Sequence, residues 1–143
     1  MKILKNKELI IYLKQFIKKM EEYYTLECVI LFGSQARGDF KPYSDIDLII
    51  VGDFKEKFIE RGKYFHEKHN YIIGLDAFCY THEEFDNMFN KGTVSILDAI
   101  DEGICILGSA FFNHYKDKLI RLKKIGLKKD PPVWILPKSM FLD

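Results

Sequence analysis

Two apolar runs that both read as β-strands, Thr25–Phe32 and Ser44–Val51, are joined only by the short link 33–43. A parallel pairing needs a crossover of about a dozen residues or more, usually with a helix in it, so these two strands are expected as antiparallel neighbours. The link opens on the turn pair Gly33-Ser34, and the second run begins Ser44-Asp45-Ile46-Asp47-Leu48. Because a strand alternates its faces, Asp45 and Asp47 are expected on one side, about 6–7 Å apart. Two like charges beside the apolar run Leu48-Ile49-Ile50-Val51 are costly unless something cationic sits between them. A magnesium or manganese ion bound through oxygen ligands is the natural candidate. The Gly-Ser turn nearby is placed to hold the phosphates that such a metal carries.

The spacing Gly33-Ser34, ten residues, Asp45-x-Asp47, with Ala36, Arg37 and Gly38 at their offsets, resembles the signature of the nucleotidyltransferase superfamily that includes DNA polymerase beta. Its form is most similar to the minimal nucleotidyltransferases, which in many prokaryotes are the antitoxin partners of HEPN-domain ribonucleases. The resemblance covers about residues 5 to 108. A lone Asp-x-Asp would be weak; the combination is specific.

Length and composition agree with a globular domain. The 143 residues, 48% hydrophobic and 30% charged, suffice for a core without disulfides. A net charge of +1 exerts no overall pull toward nucleic acid or membrane. No apolar run approaches the roughly 20 residues that span a bilayer, and the N-terminus lacks the apolar core of a secretory signal. Cys28, Cys79 and Cys105 lie far apart among apolar neighbours and read as buried free thiols in a reducing cytoplasm. They lack the close pairing of a zinc site.

Helical spacing of Leu9, Ile10, Leu13, Phe16, Ile17 and Met20 predicts a helix over about 5–23. Further helices are expected over about 54–68, from the capping box at Thr81-His82-Glu83-Glu84, from Thr93 to Gly103, and over Phe111 to Leu122. Tyr71–Tyr80 reads as a third strand and Ile104–Leu107 as a short fourth. Room for a helical crossover between Val51 and Tyr71 allows the third strand to run parallel to the second. The expected fold is α/β (α+β), a small mixed sheet flanked by helices, and the resemblance implies the polymerase-beta-like nucleotidyltransferase fold. Residues 1–126 form the expected nucleotidyltransferase domain. Residues 127–143 form a C-terminal tail, broken at Pro131-Pro132, that either folds back over a sheet edge or anchors an interface through Trp134.

The resemblance implies transfer of a nucleoside monophosphate from a nucleoside triphosphate, ATP in this family, to a hydroxyl. Two Mg2+ or Mn2+ ions about 3.5–4 Å apart would serve both entering and leaving oxygens. Asp45 and Asp47 would hold both ions. The family places its third acid on the third strand, where Asp76 is the acid within the run; it would hold the metal that activates the acceptor. Gly33 permits close approach of backbone to phosphate, Ser34 offers a hydroxyl, and backbone N–H groups of 34–38 add an anion-binding concavity. Arg37 suits either a phosphate or an ion pair with Asp39 or Asp45.

Plainer roles stand beside these. Asp45 could cap a turn, Asp47 could pair with Arg37, and Asp76 could pair with a lysine. Glu27 and Asp53 are the fallback acids. His66, His69, His82 and His114 read as surface residues. The basic residues from Lys116 to Lys129 read as a solvated helix face, with RNA or an acidic partner as the alternative.

Three functions are open at this level. The first is nucleotidylation of a partner protein, implied by the resemblance to be a HEPN-type toxin receiving AMP on a tyrosine hydroxyl. The bare catalytic core fits an acceptor delivered by another protein. The second is transfer to a small hydroxylated molecule, for which a homo-oligomer would supply a missing wall. The third is a non-catalytic module that acts by binding alone. A cytoplasmic location is expected for each.

Overall fold

A computed structural model describes residues 2–38 and 44–141 of the chain, with side chains from residue 7 to residue 140. Its centre is a four-stranded sheet of order β3-β2-β1-β4. The strands are β1 (Leu26–Phe32), β2 (Ile46–Gly52), β3 (Leu75–Tyr80) and β4 (Ile104–Leu107). β1 lies antiparallel to β2, as the short link between them predicts, and to β4, and β2 lies parallel to β3, as the longer connection allows.

Alternation along the strands feeds two cores. Val29 and Leu31 of β1 and Ile46, Leu48 and Ile50 of β2 pack against helix α1 (Lys2–Met20) and Phe65 of helix α3 (Lys63–Lys68). Cys28, Ile30, Ile49 and Val51 face the other way. They pack against helices α4 (His82–Asn90), α5 (Val94–Glu102) and α6 (Ser109–Lys124). The single turn α2 (Ser34–Arg37) follows β1 directly. Burial of both sheet faces explains why β2 reads as a near-continuous apolar run after its first acids.

Several boundaries differ from the periodicity-based expectation. The helix expected over 54–68 is a 3-10 turn, Phe58–Glu60, followed by α3, because Gly62 at φ +80° turns the chain between them. The third strand starts at Leu75 rather than Tyr71. Thr81 makes the full capping box of α4: its hydroxyl accepts from the Glu84 N–H and Glu84 accepts from the Thr81 N–H. Thr93 precedes α5 without a side-chain cap.

The tail forms a hairpin of β5 (Lys128–Asp130) and β6 (Val133–Ile135). Trp134 is buried in the α4–α6 core, and its Nε1 donates to Asp98 on α5 at 2.8 Å. Lys129 reaches the same carboxylate, Lys123 pairs with Asp101, and Lys116 donates to the carbonyls of Ile100 and Asp101. Lys116, Lys123 and Lys129 of the basic stretch thus bind α5. His69 departs from the surface reading: it bridges the Tyr12 hydroxyl and the Ile73 carbonyl. Cys28 and Cys79 are buried free thiols, whereas Cys105 is only half-buried. No described helix is long and apolar enough to cross a membrane.

Candidate active site

β2 enters the sheet at Ile46, whose N–H donates to the Gly74 carbonyl at 2.8 Å. Asp45 therefore stands one residue before the strand rather than within it. Asp47 shares the strand face of Ile49 and Val51. Its register partner on β3 is Asp76 and its partner on β1 is Phe32. In a parallel pair, residues in register project to the same side, so Asp47 and Asp76 lie side by side on one face.

Two glycines make room for the acids. A Cβ on Gly33 would stand 2.7 Å from Oδ2 of Asp47, and a Cβ on Gly74 would stand 2.8 Å from Oδ1 of Asp45. Gly33 has φ +74° and ψ −157°, a conformation that L side chains scarcely adopt. The turn after β1 can thus pass directly over the Asp47 carboxylate. Ser34 begins α2 immediately beyond it, half-buried.

Partial burial pushes the Asp47 carboxyl above the ordinary carboxylate range; the charges of Asp76 and Asp45 push it further, and the Arg37 guanidinium opposes the shift. The three acids are thus electrostatic neighbours. Among the described residues, no three His, Cys, Asp or Glu side chains form a preassembled metal cage. The donor chemistry nevertheless suits a hard divalent cation: the groups are carboxylates, and their repulsion is what such an ion relieves.

Arg37 pairs with Glu102 at the end of α5, at 3.2 Å. Asp39, an alternative partner expected from the sequence, lies outside the described residues. Gln35 is the buried polar side chain of the described core, 2% exposed, and its Nε2 donates to the Ser44 carbonyl at 2.8 Å. That bond ties the turn after β1 to the chain entering Asp45. Sequence reasoning passed over Gln35, Gly74 and Glu102; only Gln35, a polar residue inside the Gly-Ser motif, left a trace to follow. Glu27 and Asp53, the fallback acids, stand at the opposite end of the sheet, where Glu27 pairs with His82. Beside Asp47, a recess of about 230 Å³ runs down the sheet face, walled by Phe32, Ile49, Phe78, Tyr80 and Ser95.

A four-stranded mixed sheet with a Gly-Ser turn over Asp47 of its second strand suits a nucleotidyltransferase. The chain belongs to the nucleotidyltransferase domain family, whose model matches residues 13–95, more than half of its length. A segment of 43 residues is 46% identical to a candidate protein adenylyltransferase of Methanocaldococcus jannaschii. That match covers 29% of this chain and 43% of the relative's length. In structure the chain is similar to a candidate nucleotidyltransferase from Sulfolobus solfataricus, with a TM-score of 0.50 at 24% identity over 60% of this chain and 78% of that one. It is also similar to a chain of a toxin–antitoxin structure with AMP-PNP, with a TM-score of 0.53 at 16% identity over 78% and 86% of the two chains. These two likenesses concern the fold.

Proposed function

We propose that the chain transfers AMP from ATP to a hydroxyl of a partner protein, and that the partner is a HEPN-type toxin silenced by the modification. The observation that carries the reading is the placement of Asp47 in register with Asp76, with Asp45 two residues upstream and Gly33-Ser34 beside them. The adenylyltransferase name of the archaeal relative supports the reaction, and the toxin–antitoxin neighbour with AMP-PNP supports both nucleotide and partner class.

In this reading Asp45, Asp47 and Asp76 hold divalent metal, Mg2+ or Mn2+, which supplies charge neutralisation at the α-phosphate and the leaving group. Gly33 and Ser34 receive the β- and γ-phosphates through backbone N–H groups and the hydroxyl. Arg37 adds a planar cation at the same end. The acceptor oxygen bonds to the α-phosphorus as the α–β bridging P–O bond breaks. Pyrophosphate departs, and the hydroxyl proton passes to the Asp76 carboxylate and then to water. Positioning and charge, rather than a covalent enzyme intermediate, account for the rate.

The test is incubation of the chain with α-labelled ATP and magnesium, with and without the protein that co-purifies from its host. Label on that protein, lost with Asp47→Asn, is the expected result. A stable complex that forms equally with Asp47→Asn and carries no label would establish inhibition by binding instead.

A further inference from the structure

We infer that the outer edge of β3 is the docking strand for the acceptor: an extended segment of the target protein pairs with Leu75–Ala77 and brings its hydroxyl to Asp76. This rests on the nucleotidyl-transfer reading of the site. In an in-line displacement the entering and leaving oxygens lie on opposite sides of the phosphorus. With the leaving pyrophosphate beside Gly33-Ser34 at the end of β1, and Asp47 on the central strand β2, the acceptor must arrive from the far side, which is β3. Among the described residues β3 is an edge strand.

The backbone of that edge is available over a defined stretch. Gly74 directs its carbonyl to β2, so by alternation Asp76, Phe78 and Tyr80 also face β2, while Leu75, Ala77 and Cys79 face outward. Arg61 occupies the outward carbonyl of Cys79, donating through Nη1 at 3.3 Å, and Glu84 holds the same guanidinium at 2.6 Å. The outward groups of Ala77 have no such partner among the described residues. The unblocked part of the edge therefore flanks Asp76, and Arg61 stops a ladder from running further. The same stop disfavours a two-fold pairing of β3 with a second copy, since each copy would bring its own Arg61 to the ladder.

The surroundings suit an inserted peptide. A cavity of about 620 Å³ runs along Ala77–Cys79 and is bordered by Phe58, Ile59 and His66. Ile59 is 88% exposed and Phe78 37% exposed, apolar surface that side chains of an added strand would cover. Strand addition recognises backbone and leaves the side chain free, which suits an enzyme that must present one hydroxyl.

The experiment uses the whole chain, magnesium chloride and α-labelled ATP on an array of immobilised nonapeptides, each with one central tyrosine, serine or threonine in a β-branched context. Every peptide is matched by a copy with proline on both sides of the hydroxyl residue, which removes backbone donors. Labelling at least about tenfold faster without the prolines is expected. Ile59→Asp, at an exposed position the fold tolerates, should raise KM for the best peptide about tenfold at unchanged kcat. Adding that peptide without its hydroxyl should slow amide exchange over residues 75–77. Equal labelling of the proline copies, an unmoved KM, or unslowed exchange overturns the docking strand. So does protection of the edge that grows with protein concentration alone, which would make it a self-interface. Pyrophosphate release with water as acceptor tests the underlying reaction separately. Release without peptide labelling overturns only the docking strand; no release with any acceptor overturns the reaction itself.

Discussion

Gly33 and Asp47 are a fitted pair: the space a Cβ would take on the glycine is occupied by the aspartate's Oδ2, 2.7 Å away. The glycine's φ of +74° and ψ of −157° add a backbone cost of about 1–3 kcal/mol for any L side chain. Gly33→Ala is therefore expected to lose about that much stability and to displace the Asp47 carboxylate. Chemical denaturation checks the first effect. Loss of AMP transfer in a chain still folded at the assay temperature checks the second.

Asp47 is stabilised in its protonated form by partial burial and by the charges of Asp76 and Asp45, against the pull of Arg37. The native state thus binds that proton more tightly than the unfolded chain, whose ordinary value is 3.8. Stability through this group falls as pH rises across the interval between the two values, and the full cost is reached once the pH exceeds the folded-state value. Without metal, Asp47→Asn should be more stable than the parent at about pH 7, with the advantage shrinking as pH falls toward about 4. Activity should fall at least about 10²–10³-fold. Magnesium should raise the melting temperature of the parent and not of the variant. Urea titrations across pH and melting curves with and without the ion measure all three.

What was legible in the sequence was set by local rules. The short link 33–43 made antiparallel neighbours of β1 and β2, and Asp47 was visible at the head of the apolar run of β2, whereas Asp45, expected on the same strand face, precedes the strand. Thr81 and Glu84 announced α4 because their bonds lie within one turn. What was not legible depends on distant partners. Gly74 matters because Asp45 packs over it, and Glu102 because the end of α5 meets Arg37. Nothing local signals either. The start of β3 was overread because Tyr71 and Ile73 are apolar yet pack on the α1 core from a loop.

Gln35 couples the two halves of the site. Its Nε2 bond to the Ser44 carbonyl is made by a side chain 2% exposed, so removal leaves a partly buried carbonyl without that donor. Gln35→Ala is expected to cost about 1–3 kcal/mol of stability. Because the bond sets the approach of the chain to Asp45, kcat should fall more than KM for ATP rises. Gln35→Glu, which keeps the shape and removes the donor, should reproduce the kinetic loss. A variant with wild-type kinetics and only lowered stability would confine Gln35 to packing.

The hairpin at the end of the described chain is held by one aromatic residue. Trp134 is 7% exposed and shares Asp98 with Lys129. Trp134→Ala removes a large buried side chain and one donor to a carboxylate, an expected loss of about 3–5 kcal/mol. It is the one tryptophan of the chain, so its emission reports the hairpin directly. In the parent the emission should be blue-shifted and move to the red together with global unfolding. The hairpin packs on α5, whose last residue, Glu102, pairs with Arg37, so detachment should also loosen that pair. Red-shifted emission in the folded parent, or a Trp134→Ala chain as stable as the parent, would instead place this side chain at a surface awaiting a partner.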